Sequence, residues 1–373
     1  MKKILIAKQS LAKTYSGACR SVHEEIRYLS KLGHEVHTIS EDMNSEDIKK
    51  SGATPHKSFR WPWQKHYQRR MQFNKEAKKL ANKLKADLVI GHGDYQSPNI
   101  HFIHNCVHLA HEKINQKELP KDNELYKIHT PILENNQFDH LVANSELTKN
   151  ELITRFNIHP LNISVIYPAI SREQFYPIDD NTKVKLKKEL GLEKEELLVG
   201  LITSGNFKKR GVDRFFRAIN LLPKEIAHKS TFIFVGKDKV SPEISSALST
   251  SPYKERIKFL PVINDVQKYF WALDVFVLPA RIEEFGRVVA EAMACGTPII
   301  TTKWVGASEL MQGKSKSFIY DGENDQELTD LIVKLLENRE LRKEVSNLNA
   351  KSIEEITEDN LSKKFDSLFK SYL

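Results

Sequence analysis

The chain has 373 residues, a length that fits two domains or one large one. Hydrophobic residues make up 40% and charged residues 28%, which excludes a disordered or collagen-like chain and provides for a sizeable core. The formal charge of +8 calls for an anionic partner, whether nucleic acid, an anionic membrane face or a phosphorylated substrate.

Ile4-Leu5-Ile6-Ala7 reads as a short buried strand. A loop with Ser16-Gly17 follows, then an amphipathic helix near 22–32, which Gly33 stops. Val36-His37-Thr38-Ile39 is the next strand, and this strand–loop–helix–strand order is the βαβ unit of a parallel sheet. Further strands are expected at 87–91, 101–104 and 140–144, the last leading into a helix capped by Ser145. After a Pro-rich stretch at 168–177 the pattern restarts, with strands at 198–202, 231–236, 257–260, 275–279 and 298–301 and a helix from Val212. Two doubly wound α/β halves are predicted: an acceptor-side domain over 1–168 and a nucleotide-side domain over 169–353. An amphipathic helix over 354–373 is expected to pack back on the first. In such proteins ligands lie at the strand C-termini, in the cleft between the halves.

Cys19, Cys106 and Cys295 are far apart and odd in number, so neither a disulfide framework nor a Cys-based zinc site is expected. Lys2-Lys3 precedes only four apolar residues before Lys8, so a secretory leader is not expected. No apolar run approaches the roughly 20 residues of a spanning helix. These readings favour a cytoplasmic chain, soluble or peripheral on the inner face of the cell membrane.

The most informative stretch is Glu283-Glu284-Phe285-Gly286-Arg287-Val288-Val289-Ala290-Glu291-Ala292-Met293-Ala294-Cys295-Gly296-Thr297-Pro298, a loop turning into a helix after a strand. Gly286 lets backbone approach a ligand, and the N–H groups of a helix start bind hydroxyls or phosphate. Two carboxylates in that frame hold two pieces of one polyol. The same spacing also serves a carboxylate that favours the helix dipole and another on a solvated face. Lys208-Lys209-Arg210 reads either as a phosphate clamp in a Gly-bounded loop or as a solvated basic loop.

The acidic pair and the Glu-Ala-Met-Ala-Cys-Gly-Thr-Pro run resemble the signature of the retaining glycosyltransferases of family 4. The likeness extends through Lys3–Ile6, Ser16-Gly17, Leu32–Val36, Leu141–Ser145, Ile166–Pro177, Lys209–Asp213, Phe234–Gly236 and Val305–Glu309. Within the family, Arg210–Arg214 and Leu222 through Lys239 look closest to the lipopolysaccharide core glucosyltransferases that add glucose to heptose. The resemblance implies the GT-B fold, two Rossmann-like domains facing a cleft. It assigns Glu291 to the ribose hydroxyls, Glu283 to the donor sugar, and the backbone of Phe285, Gly286 and Arg287 to sugar and phosphates. It gives Lys209 and Arg210 the diphosphate, His104 a contact near the reacting carbon, and Gly17 the β-phosphate. The Ser204-Gly205 turn is counted with the donor-binding residues. Three positions depart from the pattern: Ser16 replaces a glycine, Asn105 an aspartate, and Ser204 an arginine whose charge Lys209 is expected to supply.

The implied reaction moves a hexose from a nucleotide diphosphate sugar, with uracil the base by family habit, to a glycan or glycolipid. Attack on the same face is implied, with a donor phosphate oxygen taking the acceptor proton. No cofactor is expected and no metal: His108 and His111 lack a third ligand, and Asp-x-Asp is absent. A sugar-nucleotide epimerase and a non-catalytic nucleotide-sugar-binding protein are the competing readings. A nicotinamide dehydrogenase is disfavoured because no Gly-x-Gly-x-x-Gly follows the first strand.

Residues 56–85 hold ten lysines and arginines and a single acid, Glu76. Trp61, Trp63, Tyr67 and Phe73 are interleaved, and Pro62 breaks the Trp pair. With Arg69 and Arg70 this composition suits an anionic membrane or acceptor surface. It equally suits a helix with a solvated basic face and its aromatics in the core. Nucleic-acid stacking is the weakest reading, and no nucleic-acid partner is expected.

Overall fold

A computed structural model of the chain describes residues 1–12, 17–61, 63–93, 95–193 and 195–373. The chain divides into two units, Met1–Pro168 with Asp359–Leu373, and Ala169–Glu358.

The first unit is built on seven strands: β1 (Lys3–Ala7), β2 (Glu35–Ser40), β3 (Ala53–Lys57), β4 (Leu88–His92), β5 (Ile100–Ile103), β6 (His140–Ala143) and β7 (Ile163–Val165). Their order across the sheet is β3-β2-β1-β4-β5-β6-β7, all parallel. Ile4, Leu5, Ile6 and Ala7 are fully buried, because a central parallel strand is covered on both faces and reads as a continuous apolar run. The helix Gly17–Lys31 crosses from β1 to β2 and ends where Gly33 takes a left-handed conformation at φ +82°. Ser145 caps the helix Glu146–Phe156 by accepting from Thr148 N at 3.0 Å.

The second unit repeats the plan with β8 (Leu197–Ile202), β9 (Ser230–Val235), β10 (Ile257–Leu260), β11 (Val275–Leu278), β12 (Ile299–Thr302) and β13 (Ile319–Tyr320). The order is β10-β9-β8-β11-β12-β13, again all parallel. In both sheets the winding reverses beside the first strand. The crevice at such a switch point is where open α/β sheets bind ligands. It lies between β1 and β4 in one unit and between β8 and β11 in the other.

Several short elements escape the sequence reading. Strands β3, β7 and β13 lack a long apolar run, and β3 carries Pro55, which only an edge strand tolerates. The C-terminal segment differs from the single helix expected from residue 354. Residues 353–356 form a 3₁₀ turn within the second unit, and the helix proper is Glu358–Phe369. That helix buries Leu361, Phe365, Leu368 and Phe369, and Tyr28 packs on Phe365 and Phe369 at 5.3 and 6.0 Å.

Candidate active site

Two loops of the second unit leave the strand ends at its switch point. The first follows β8. Thr203 is buried, and its hydroxyl donates to Gly205 O at 3.0 Å. Gly205 adopts φ +136°, where a Cβ would stand 2.7 Å from Asp238 Oδ1. Asp238 accepts from Phe207 N at 2.9 Å, and Asn206 Oδ1 accepts from Lys209 N at 3.1 Å. These bonds wind the short helix Phe207–Arg210, which carries Lys209 and Arg210. Gly211 then turns at φ +71° against Pro279, whose carbonyl oxygen lies 2.0 Å from where a Cβ would be. Only glycine fits there.

The second loop follows β11. It is braced by the segment after β12: Glu283 N donates to Trp304 O at 2.8 Å, Gly306 N to Glu283 O at 3.0 Å and Ala307 N to Phe285 O at 2.6 Å. Gly286, at φ +91° and pressed on Val305, turns the chain into the helix Arg287–Ala294. That helix start points its first N–H groups toward this end of the sheet. Glu291 sits inside the helix and is buried, whereas the Arg287 guanidinium reaches back to Ala169 O at 3.1 Å. Arg281 ties the loops together, its main-chain N donating to Lys209 O at 2.8 Å and its guanidinium to Asp213 at 2.7 and 2.8 Å. Burial alone would raise the Asp213 carboxyl, but Arg281 and Arg217 outweigh it and hold it at about 2.

Lys209 and Arg210 each rest on a carboxylate. Arg210 pairs with Glu283, and Lys209 Nζ lies 2.6 Å from Glu284 Oε2. Glu284 has no role in the sequence reading, yet it is 4% exposed and is the direct partner of Lys209. Burial pushes its carboxyl up, and the Lys209 and Arg210 charges override this and hold it below the usual range. The adjacent Glu-Glu pair was the only sequence signal for it. Ser204 is exposed beside Gly205 on the same loop. The second unit therefore gathers Ser204, Gly205, Lys209, Arg210, Glu283, Phe285, Gly286 and Arg287 at one sheet end.

In the first unit Gly17 opens the helix after β1, while Ser16 lies outside the described residues. His104 follows β5 and shares a 2.8 Å hydrogen bond with His92, which shares one of 2.9 Å with Glu25. Neither Glu25 nor His92 was singled out from sequence. The neighbouring histidines are engaged elsewhere: His101 Nε2 lies 3.0 Å from Gly93 O, and His108 Nε2 lies 2.7 Å from Thr130 Oγ1. Among the described residues no group of three or more His, Cys, Asp or Glu is placed to hold a metal ion.

The basic segment divides into two parts. Phe59, Trp61, Trp63 and Tyr67 are exposed, with Trp61 4.7 Å from Phe59 and 4.8 Å from Trp63 between ring centres. Pro62 is outside the described residues. The helix His66–Leu84 turns Lys75, Lys78, Lys79 and Lys83 outward. Phe73 is core, packed with Leu5, Ala7 and Ile39, in line with the reading that puts aromatics of this helix inside. Arg69 is not a plain surface cation, because it is paired with Glu41, whose side chain is 1% exposed. Arg70 is half-buried. Glu76 anchors the aromatic loop by accepting from Ser58 Oγ at 2.6 Å and Phe59 N at 2.9 Å. No helix among the described residues is long and apolar enough to cross a membrane.

Residues 15–174 match the sequence profile of Glycosyltransferase Family 4, and residues 199–338 that of Glycosyl transferases group 1. The chain is 28% identical over 188 residues to the D-inositol 3-phosphate glycosyltransferase of Mycobacterium sp. (strain KMS), covering 49% of this chain and 42% of the relative. It is 26% identical over 190 residues to the lipopolysaccharide glucosyltransferase WaaG of Escherichia coli K12, covering 50% of each. The chain thus spans about half the length of the curated relatives it matches. A crystal structure of WaaG shares the fold with a TM-score of 0.80 at 18% identity, covering 98% of this chain and 99% of WaaG. Anabaena HepE in complex with UDP-glucose gives 0.76 at 18% identity over 100% of both chains.

Proposed function

We infer that this chain, which belongs to the family 4 glycosyltransferases of GT-B fold, moves a hexose from a UDP-sugar to a glycan or glycolipid acceptor. Transfer proceeds with retention and without a metal ion. The observation that carries this reading is the pairing of Lys209 with Glu284 and of Arg210 with Glu283 at the second unit's switch point. A diphosphate entering there competes for both cations. Drawing Arg210 onto phosphate releases Glu283 for the sugar hydroxyls, and Glu291 takes the ribose. As the glycosidic bond to the leaving diphosphate breaks, negative charge grows on the phosphate oxygens. Lys209, Arg210 and the N–H groups at Gly286 and Arg287 stabilise that charge. The acceptor hydroxyl attacks from the same face and passes its proton to a departing phosphate oxygen.

The test is a thermal-shift titration with UDP-glucose, other UDP-sugars and free UDP. A ligand bound only by the folded chain raises the melting temperature. The wild type should shift, and Glu291→Ala should lose most of the shift. No shift with any nucleotide sugar, or an equal shift in the variant, overturns the assignment of the donor site.

The acceptor is read as an anionic glycolipid of the lipopolysaccharide-core kind, met at the inner membrane face through Trp61, Trp63 and Arg70. Cations near such a surface contribute about 1 kcal/mol each. Replacing Trp61, Trp63 and Arg70 together should reduce flotation with anionic vesicles and leave the UDP-sugar thermal shift intact. Equal flotation of wild type and variant removes the surface reading.

A further inference from the structure

Glu25, His92 and His104 form one hydrogen-bonded line from the interior of the first unit to a cavity wall. Glu25 is on the helix Gly17–Lys31, His92 ends β4, and His104 follows β5. Glu25 Oε2 lies 2.9 Å from His92 Nε2, and His92 Nδ1 lies 2.8 Å from His104 Nε2. The Glu25 and His92 side chains are 0% exposed. The two imidazole planes lie within 9° of each other, and His92 also stacks on Phe102 at 5.0 Å. His104 is half-buried and lines a cavity with Glu24, Asn144 and Tyr167.

In such a line each ring nitrogen either donates or accepts, and the choice at one end fixes the other. Suppose the Glu25–His92 pair is net neutral, with one proton shared between them beyond the one a neutral imidazole carries. On the carboxyl, it donates to His92 Nε2, and neutral His92 must carry its own proton on Nδ1. On His92 Nε2, the ring is an imidazolium and Nδ1 is again protonated. Either way Nδ1–H donates to His104 Nε2, and neutral His104 carries its proton on Nδ1. Only a net negative Glu25–His92 pair reverses the line.

The surroundings disfavour that negative pair. Glu25 Oε1 has no hydrogen-bond partner among the described residues, and a buried carboxylate with a bare oxygen is costly. Burial and then the nearby Glu24 push the Glu25 carboxyl well up. Burial drives the His92 imidazolium well down, with His104, Lys8 and His101 adding to it. Lys8, which also faces Glu25, acts the other way on the carboxyl. His101 is itself kept neutral by burial, at about 4.

We propose that Glu25 and His92 are positioning residues that share one proton and so fix His104 as the Nδ1–H tautomer, presenting a hydrogen-bond donor at Nδ1. The consequence for transfer rests on the function proposed above: this donor would meet a sugar or phosphate oxygen. The tautomer itself does not depend on that reading.

The experiment is imidazole ¹⁵N NMR on the full chain with ¹⁵N-labelled histidine, using His104→Asn to identify the resonances. The wild type should show His104 with a protonated Nδ1 and a bare Nε2. Glu25→Leu should admit the Nε2–H form. Glu25→Gln, whose amide can donate to His92, should keep the wild-type pattern. A wild-type His104 protonated at Nε2, or an unchanged tautomer in Glu25→Leu, overturns the proposal, and the wild-type spectrum decides even where Glu25→Leu fails to fold. In transfer assays Glu25→Leu should lose about tenfold in kcat, the scale of one oriented hydrogen bond, while Glu25→Gln stays near wild type. An inactive wild type with the expected spectrum would count against the function, not against the line.

Discussion

Lys209→Met should destabilise the chain by about 3–5 kcal/mol, the cost of stranding a buried charge. Lys209→Met/Glu284→Gln should recover most of this stability and remain inactive. Glu284 is 4% exposed and its carboxylate is 2.6 Å from the Lys209 ammonium. With the lysine present the folded carboxyl is held low, so the pair's contribution is complete above the unfolded pKa and fades as pH falls through the folded one. With methionine in its place, burial dominates and the carboxyl rises. The single variant should therefore be weakest at neutral pH and closest to wild type in mild acid. Denaturant melts at the two pH values measure this, and equal stability of the single and double variants would show that the ion pair does not hold Glu284. The activity of the double variant isolates chemistry from stability. A fall in kcat of about a hundredfold or more is expected, the usual loss when a fixed charge at a leaving group is removed. Wild-type turnover in a folded double variant would take Lys209 out of the mechanism.

Asp274→Ala should cost a similar amount, about 3–5 kcal/mol, at the opposite end of β11 from the Glu283 loop. Asp274 is 7% exposed just before β11. It accepts from Leu198 N at 2.8 Å and from Lys187 Nζ at 2.5 Å, and lies 3.1 Å from Lys183 Nζ. The two lysines lie on the helix Asp180–Glu189, so one carboxylate fastens that helix to adjacent strands β8 and β11. Its loss leaves Lys187 charged and buried and orphans a strand N–H. A fall of about 10 °C in Tm is the corresponding shift for a unit of this size. Burial raises the Asp274 carboxyl, but the lysines outweigh it and hold it low, so its contribution too drains away in acid. A loss below about 1 kcal/mol would mean that the helix is held by apolar packing alone.

Much of this architecture is legible in the chain. Buried parallel strands announce themselves as apolar runs, as in Ile4–Ala7 and Val275–Leu278, and these are the strands that define the switch points. Edge strands such as Ala53–Lys57 are half solvated and carry no such run. The loops that bear Lys209 and Glu283 are legible for the same reason: their place follows from the strands before them. Pairings are not. Glu284 meets Lys209 across 75 residues, and Glu25 meets His92 across 67. Nothing local in either segment specifies its partner. Arg69 makes the point in reverse, since a charge count places it on the surface while Glu41, 28 residues earlier, holds it in a part-buried pair. Side-chain burial on the helix His66–Leu84 was similarly hidden, because Phe73 and Tyr67 look alike in a basic run and only the helix face separates them.

The return of residues 359–373 to the first unit sets an order of assembly. On the ribosome, residues 1–168 emerge long before the helix that packs Phe365 and Phe369 against Tyr28. The entire second unit is translated in between. It can close its own sheet first, as domains tend to fold as units during synthesis. The first unit must wait with an apolar groove uncovered beside its first helix. A nascent chain stalled after residue 358 would therefore carry one finished unit and one unfinished unit, and that uncovered groove is where a chaperone would find it.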